Sequence, residues 1–268
     1  MRLTYFHAPH FHPPLRIFLG CLTLMTLTSC ATNPSPDPYK SPLANWQASE
    51  NFEPRKPQLI IIHHTNMRSF AEALHTLKTG NPQGRVSAHY LIGREGEILQ
   101  LVADNQRAWH AGIARWAGRT DLNSASIGIE LDNDGSTPFT AAQIAALLSL
   151  LTDLTTRLGI EPHQVWGHSD IAPARKDDPN KYFPWAELAK AGFGLWPKKP
   201  AQAVPEHFDP WLALALIGYD LSDKPAAVVA FHRHYFGTQT SELTPEDLVV
   251  LADLMQQLLP GYRMFQGG

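Results

Sequence analysis

The sequence predicts an α/β fold, a mixed central β-sheet flanked by helices, followed by a small C-terminal three-helix domain. Short apolar runs typical of strands alternate with helical patterns over residues 45–195. A proline-rich passage over residues 196–205 then indicates a linker, and the apolar residues beyond it form short helical sets. We therefore predict two folded domains, over residues 45–195 and 206–268.

Length and composition limit the possible classes of protein. The 268 residues are enough for one sizeable domain and one small one. With 44% hydrophobic and 18% charged residues, the composition is that of a globular protein. The formal net charge is -3 and the basic residues are dispersed, which argues against a nucleic-acid-binding protein.

Residues 1–29 have the pattern of a signal peptide. Arg2 and Arg16 precede an apolar stretch over residues 17–27, which is too short to span a membrane as a helix. The stretch ends in Leu-Thr-Ser followed by Cys30, which resembles the bacterial lipobox, where the cysteine is acylated after cleavage. An ordinary signal peptide with a chance cysteine is the alternative.

A lipobox has consequences for location and for metal chemistry. The residue after the cysteine is Ala31 and not Asp, which in such lipoproteins indicates the outer membrane. We therefore predict an outer-membrane lipoprotein that faces the periplasm and is anchored through Cys30. The proline-rich residues 30–44 then form a tether. The other cysteine, Cys21, leaves with the signal peptide, so any metal must bind to histidine and carboxylate.

Five strands are predicted along the larger domain. The first consists of an apolar run that ends in two histidines, which is typical of a buried central strand. The second and third flank a polar turn over residues 94–97 and so resemble a pair. In chain order the strands are Gln58–His63, His89–Gly93, Ile98–Val102, Ser126–Leu131 and Gln164–Gly167.

Two helices alternate with these strands. The first is predicted over Ser69–Lys78 and is closed by Gly80. The second, over Thr140–Leu158, is the clearer one, because Thr140 and Gln143 form a capping box and Gly159 follows the last turn. Its leucines recur at helical spacing.

The loop over residues 167–179 contains a histidine, a lysine and two carboxylates, and it is the chemically richest part of the chain. Histidine and aspartate are ligands that a water-activating metal uses, and the loop provides both in His168 and Asp178. We therefore interpret the loop as half of a zinc hydrolase site. One or two further ligands must come from elsewhere. The obvious source is the strand that ends in His63 and His64.

Five motifs carry a resemblance to a known family. In order and spacing they resemble the zinc-dependent N-acetylmuramoyl-L-alanine amidases of type 2, a family shared with the peptidoglycan recognition proteins. The resemblance covers about residues 45–195, and its nearest form is the outer-membrane lipoprotein amidases with a C-terminal peptidoglycan-binding domain. The motifs are Ile62–Thr65, Ser87–Tyr90, Ala108–Gly112, Ser126–Glu130 and His168–Pro179.

The resemblance implies a complete set of site residues. One Zn²⁺ per chain would be held by His63, His168 and Asp178, with water in the fourth position. Glu130 would be the general base, which takes the proton of the water and delivers it to the leaving nitrogen. Lys176 would offer a positive charge to the oxyanion.

The same resemblance places substrate-binding residues beside the metal. Trp109 and His110 lie where the family has a wall of its cleft, although such a patch alone is more often part of a core. Asn123 stands where relatives carry an asparagine that can contact the peptide stem.

Three residues compete with the proposed ligands. His64 is adjacent to His63, and neighbouring strand residues point to opposite faces, so we do not expect it to bind the metal. His89 is expected to be a hydrogen-bonded structural histidine. Asp177 competes with Asp178, and we expect it to be solvated.

Residues 206–268 resemble the three-helix peptidoglycan-binding domain often found in wall hydrolases, and a purely structural cap is the alternative. His232 and His234 do not indicate a second metal, because residues two apart on a helix do not share a face.

We therefore expect a monomeric zinc amidase that hydrolyses the amide between the lactyl group of muramic acid and L-alanine, in cell-wall turnover or recycling. Its expected partners are peptidoglycan or muropeptides and, through the lipid anchor, the membrane. A non-catalytic peptidoglycan-binding or sensing lipoprotein is one alternative. A zinc peptidase that cuts within the stem peptide is another.

Overall fold

The computed structural model describes residues 37, 39–52, 55–198 and 204–259. The predicted signal peptide, Cys30 and part of the tether lie outside these residues, as does the middle of the predicted linker. Among the described helices, none is long and apolar enough to cross a membrane.

A mixed six-stranded sheet forms the centre of the described chain, which confirms the predicted fold class. The spatial order is β1-β4-β3-β5-β2-β6, and all neighbours are parallel except β3 and β4, which are antiparallel. The strands are β1 (Asn45–Trp46), β2 (Leu59–His64), β3 (Tyr90–Ile92), β4 (Ile98–Gln100), β5 (Ser126–Leu131) and β6 (Val165–Gly167).

Strand β2 lies inside the sheet, between β5 and β6, and its apolar run suits a position buried on both faces. Every residue from Leu59 to His64 is buried. Successive side chains point to opposite faces, so Leu59 and Ile61 belong to one apolar cluster while Ile60 and Ile62 belong to the other. The strand thereby carries its terminal histidines on a rigid support.

Eight helices accompany the sheet in the described residues. The predicted capping box at Thr140 is present, and Gly159 ends the helix in the left-handed conformation. The helices are α1 (Phe70–Thr79), α2 (Leu122–Ala125), α3 (Ala141–Leu158), α4 (His168–Ile171), α5 (Trp185–Lys190), α6 (Pro210–Ile217), α7 (Lys224–Phe236) and α8 (Pro245–Leu258).

The two faces of the sheet are covered by different parts of the chain. The leucines of α3 pack on one face together with Ile60 and Ile62. On the other face, Ile61 and Trp166 belong to one apolar cluster with residues of α6, α7 and α8. The three C-terminal helices thus share a core with the sheet, whereas the boundary near residue 206 stays a prediction.

Gly218, which ends α6, permits a close approach between the C-terminal helices and Trp116. Its φ is 135°, and a Cβ there would overlap the indole of Trp116. That indole also packs against Trp166 and Tyr219, with ring centroids 4.4 and 5.0 Å away. The glycine therefore has both a backbone and a packing requirement.

We expect Gly218→Ala to lower the free energy of unfolding by ~2–4 kcal/mol, because it combines an unfavourable φ with overpacking of the Trp116 indole. Gly159→Ala is the matched control: it also has a positive φ, 66°, but nothing lies within 4 Å of the added methyl. It should cost only ~1 kcal/mol. Chemical denaturation measures both, and equal losses would contradict the packing argument.

Candidate active site

Three ligand atoms from distant parts of the sequence converge in the structure. The Nδ1 atoms of His63 and His168 lie 3.0 Å apart, and each is 3.0 Å from Oδ2 of Asp178. All three side chains are buried. In the described part of the chain this is the one group of three side chains with the geometry to hold a metal ion.

The parallel arrangement of β2 and β6 explains how the two histidines meet. Ile62 pairs with Gly167, so His63 and His168 follow the paired positions at the carboxyl ends of adjacent strands. Asp178 is brought back to the same edge because the N–H of Ser169 donates to its carbonyl oxygen at 2.7 Å. Strand pairing and one loop hydrogen bond therefore assemble the group.

The chemistry of these donors fits a divalent cation such as Zn²⁺. Hydrogen bonds among three atoms can explain one or two 3.0 Å contacts, but not a closed triangle of two imidazole nitrogens and an oxygen. A tetrahedral zinc site with bonds near 2.0–2.1 Å has ligand–ligand edges of about 3.3 Å. The observed triangle is close to that size.

The other ring nitrogen of His168 supports the same assignment. Its Nε2 lies 3.0 Å from the carbonyl oxygen of Ala111, which can only accept, so the two form a hydrogen bond when the ring carries its proton on Nε2. In that tautomer Nδ1 has a lone pair for a cation bound next to the Asp178 carboxylate. Such an outer hydrogen bond is the usual way to orient a metal-binding histidine.

The protonation states of the two partners are those that a metal requires. Burial and the nearby His168, opposed in part by Asp178, together lower the pKa of His63 to about 4. Burial alone would raise the pKa of Asp178, but His168 and His63 hold it well below its ordinary value. A neutral imidazole and an ionised carboxylate are therefore available at neutral pH.

Glu130 lies beside this group at the end of β5, directly across from His63 in the strand register. Its Oε2 atom is buried and makes no hydrogen bond within the described chain. Burial and the charge of Asp178, opposed in part by Lys176, together raise the pKa of Glu130 to about 8. A carboxyl group that can hold a proton near neutral pH suits an acid–base role.

The loop residues next to Asp178 differ in exposure. Lys176 is half-buried, and its charge acts on both Glu130 and His63. Asp177 is exposed, as expected for a solvated residue. The ligand atom at this corner of the triangle therefore comes from Asp178.

The two competing histidines have other partners. The ring of His64 accepts a hydrogen bond at Nδ1 from the backbone N–H of Asn180, 3.1 Å away. His89 accepts from the N–H of Gly128 at 2.9 Å, and its Nε2 lies 3.0 Å from the carbonyl oxygen of Gln106. His64 thus braces the loop that carries Asp178, while His89 braces β5.

His110 lies behind the ligand His63, a placement that sequence reasoning missed. Its Nδ1 is 3.0 Å from His63 Nε2, and its Nε2 is 3.3 Å from the hydroxyl of Ser126. A Cβ at Gly128 would overlap the His110 ring. A glycine inside a strand signals a close approach of this kind, so Gly128 could have revealed the contact.

The remaining predicted substrate-binding residues have structural contacts. Asn123 accepts through Oδ1 from the backbone N–H groups of His110 and Ala111, at 2.9 and 2.8 Å. The indole of Trp109 lies between the guanidinium groups of Arg85 and Arg107, 4.1 and 4.2 Å from its ring centroid. Substrate contact by Trp109, His110 and Asn123 stays a prediction.

Arg175 is a further site residue that the motif analysis did not single out. Its Nη2 donates to the carbonyl oxygens of Ala111 and Ile113, at 2.7 and 2.9 Å. The first of these carbonyls is also the partner of His168. Arg175 therefore ties the metal-ligand loop to the loop over residues 108–113.

His232 and His234 have separate carboxylate partners, in agreement with the expectation that they share no metal. Nε2 of His232 lies 2.9 Å from Asp247, and Nδ1 of His234 lies 2.7 Å from Asp170.

Comparison with known sequences identifies the same family as the motifs. Residues 53–181 match the family described as N-acetylmuramoyl-L-alanine amidase. The amidase AmiD of Escherichia coli is 43% identical over 156 residues, which cover 52% of this chain and 55% of AmiD. The 1,6-anhydro-N-acetylmuramyl-L-alanine amidase AmpD of Enterobacter cloacae is 37% identical over 152 residues, which cover 51% of this chain and 81% of AmpD.

Solved structures are similar to a larger share of the chain than the matched residues 53–181. The complex of E. coli AmiD with anhydro-N-acetylmuramic acid-L-Ala-D-gamma-Glu-L-Lys has a TM-score of 0.67 at 34% identity, covering 76% of this chain and 90% of that one. AmpDh3 from Pseudomonas aeruginosa has a TM-score of 0.68 at 31% identity, covering 78% and 94%. With its sheet, its ligand group and these relatives, the chain belongs to the N-acetylmuramoyl-L-alanine amidase family.

Proposed function

We propose that this protein is a zinc-dependent amidase that cleaves the amide between the lactyl group of muramic acid and the L-alanine of the peptide stem. The observation that carries the proposal is the buried triangle of His63, His168 and Asp178, with Glu130 beside it at the end of the next strand. The relatives AmiD and AmpD, both named as muramoyl-L-alanine amidases, support it.

The amide bond is unstrained, so its hydrolysis needs a strong nucleophile, a stabilised oxyanion and a protonated leaving amine. Zinc held by the three ligands would supply a Lewis acid and a water of lowered pKa. Glu130 takes a proton from the attacking water and returns it to the departing nitrogen. Lys176 places its positive charge where negative charge develops on the carbonyl oxygen.

The surroundings of the site favour this chemistry. The raised pKa of Glu130, about 8, makes its carboxylate a stronger base than that of an exposed glutamate, which suits it to accept the proton of the water. His110 contacts the outer nitrogen of His63. Arg175 donates to the Ala111 carbonyl, which is the partner of the outer nitrogen of His168. A buried position strengthens every charge interaction relative to water.

We also propose muropeptides as substrates, in cell-wall turnover or recycling. The related AmiD and a form of P. aeruginosa AmpDh3 have been solved with anhydromuramyl peptides, which supports this substrate class. A recognition protein without catalysis is disfavoured because the complete ligand group and Glu130 are present. Product analysis separates the amidase from a peptidase that cuts within the stem.

The lipobox-like sequence supports a further proposal about location. Acylation of Cys30 anchors the protein in the outer membrane, facing the periplasm, as a monomer. Residues 206–268 add contacts to peptidoglycan.

Metal removal and Glu130→Gln test the catalytic proposal. Chelation should abolish the release of free stem peptide from purified muropeptides, and added Zn²⁺ should restore it. Glu130→Gln should keep one zinc per chain but lower kcat by about 10²–10⁴, because only proton transfer is lost. Mass spectrometry of products and metal analysis measure both effects. Products cut within the stem, or full activity in the chelated protein, would contradict the proposal.

Lys176→Met tests the oxyanion role, because methionine keeps much of the side-chain volume without the charge. We expect kcat/KM to fall about 10²-fold with unchanged zinc content. Lys181→Met, at an exposed lysine in the same region, is the control and should leave the kinetics unchanged. Wild-type kinetics in Lys176→Met would exclude Lys176 from the reaction.

Cys30→Ser tests the anchor. Expressed with its signal peptide, the wild-type protein should carry an acylated N-terminal cysteine and partition with outer-membrane vesicles, whereas Cys30→Ser should lose both properties. Cys21→Ser should behave as wild type, because that residue is removed with the signal peptide. An unacylated mature wild-type N-terminus, established by peptide mass, would refute the lipoprotein proposal.

A further inference from the structure

Asp170 connects the C-terminal helices to the metal-ligand segment. It lies in α4, two residues after His168, and none of its surface is exposed. Its Oδ1 accepts from the hydroxyl of Tyr219 at 2.9 Å, and its Oδ2 lies 2.7 Å from Nδ1 of His234. Oδ2 also accepts from the backbone N–H of Gly167, 2.7 Å away. Two of the three partners therefore come from the part of the chain beyond residue 206.

The backbone that Asp170 holds leads directly into the ligand His168. Gly167 is the last residue of β6 and precedes His168. A Cβ at Gly167 would lie 2.9 Å from Pro179, 3.2 Å from Asp170 and 3.3 Å from Trp185. Because the junction is packed this tightly, the position of the Asp170 carboxylate is coupled to that of the first residue of α4.

His234 is itself held firmly in place. Its ring stacks on Trp185, with centroids 3.8 Å apart and planes 13° from parallel. Its neighbour Arg233 is buried, and its charge acts on Asp170, Asp177 and Asp178. Helix α7 thus brings a fixed hydrogen-bonding partner and a cation toward the segment that supplies two of the three ligands.

We propose that Tyr219 and His234 are positioning residues for the metal site: they fix Asp170, and through it the orientation of the metal ligand His168. The inference deepens the proposed function, because it assigns the C-terminal helices a part in building the zinc site. It does not require them to contact peptidoglycan.

The physical argument is one of satisfied hydrogen bonds. A fully buried carboxylate is stable when its oxygens are hydrogen-bonded, and removal of a partner leaves it under-satisfied. The least costly relaxation is a movement of α4, which is a single turn that begins at His168. Loss of a group that hydrogen-bonds a metal ligand directly weakens metal binding about 10- to 100-fold. Tyr219 and His234 act one step further away, through Asp170, so the lower end of that range applies to them.

Two variants of the mature full-length protein test the assignment. Tyr219→Phe removes one hydroxyl, and His234→Phe keeps a ring to stack on Trp185 but removes the hydrogen bond to Asp170. We expect each to weaken Zn²⁺ binding about 10-fold, measured by competition with a chromophoric chelator. The visible spectrum of the Co²⁺-substituted protein should change as well. His234→Asn, which can place an amide N–H near the position of Nδ1, should recover part of the affinity.

His232→Phe is the matched control. It breaks a buried histidine–carboxylate pair of the same kind, to Asp247, two residues earlier on the same helix and away from Asp170. It should lower the melting temperature and leave zinc affinity and the Co²⁺ spectrum unchanged. An equal loss of zinc affinity in His232→Phe would overturn the proposal, because it would indicate general destabilisation.

Unchanged zinc affinity and an unchanged Co²⁺ spectrum in folded Tyr219→Phe and His234→Phe would also overturn it. If His234→Phe does not fold, the smaller change in Tyr219→Phe still decides the question. Zinc binding is measured without substrate, so a wild-type protein that binds zinc but cleaves no muropeptide contradicts the proposed function alone. A wild-type protein that binds no zinc overturns both.

Discussion

The constraint on which this structure depends is the convergence of two imidazole nitrogens and a carboxylate oxygen, 3.0 Å from one another, away from water. Groups of this kind are costly to bury unless a cation or hydrogen bonds compensate. The end of a strand, a short helix and a braced loop hold the three atoms in place. Among the neighbouring polar residues, His110 contacts the outer nitrogen of His63, while His64 and Arg175 brace the adjoining loops.

The site is built by two layers of support that differ in origin. The first is local to the sheet, where strand pairing brings His63, His168 and Glu130 to one edge. The second comes from the far end of the chain, where Tyr219 and His234 reach the carboxylate of Asp170. The C-terminal helices therefore share with the sheet both an apolar core and a buried polar network.

Much of the fold and the ligand group could be predicted from the sequence, because each rests on a local signal. The apolar run before His63 indicated the buried strand β2, and the Thr140 capping box indicated α3. Strand β1 has only two residues and carries no periodicity that could reveal it. The contacts of Asp170 join residues 49 and 64 positions apart, so no local pattern could disclose them. His110 and His63 are also far apart in the sequence, so their contact could not be predicted from a local pattern. Gly128, inside a strand, was the one local indication that a side chain approaches closely there.

The shared core has a consequence for how the chain matures. Residues of β2 and β6 pack against helices that lie near the C-terminus, among them α7. While the chain is synthesised from its N-terminus, one face of the sheet and the carboxylate of Asp170 stay uncovered until those helices have been made. The helices that cover this face are thus made after the sheet they complete, so a chain that stops before them leaves an exposed apolar surface that is prone to aggregation.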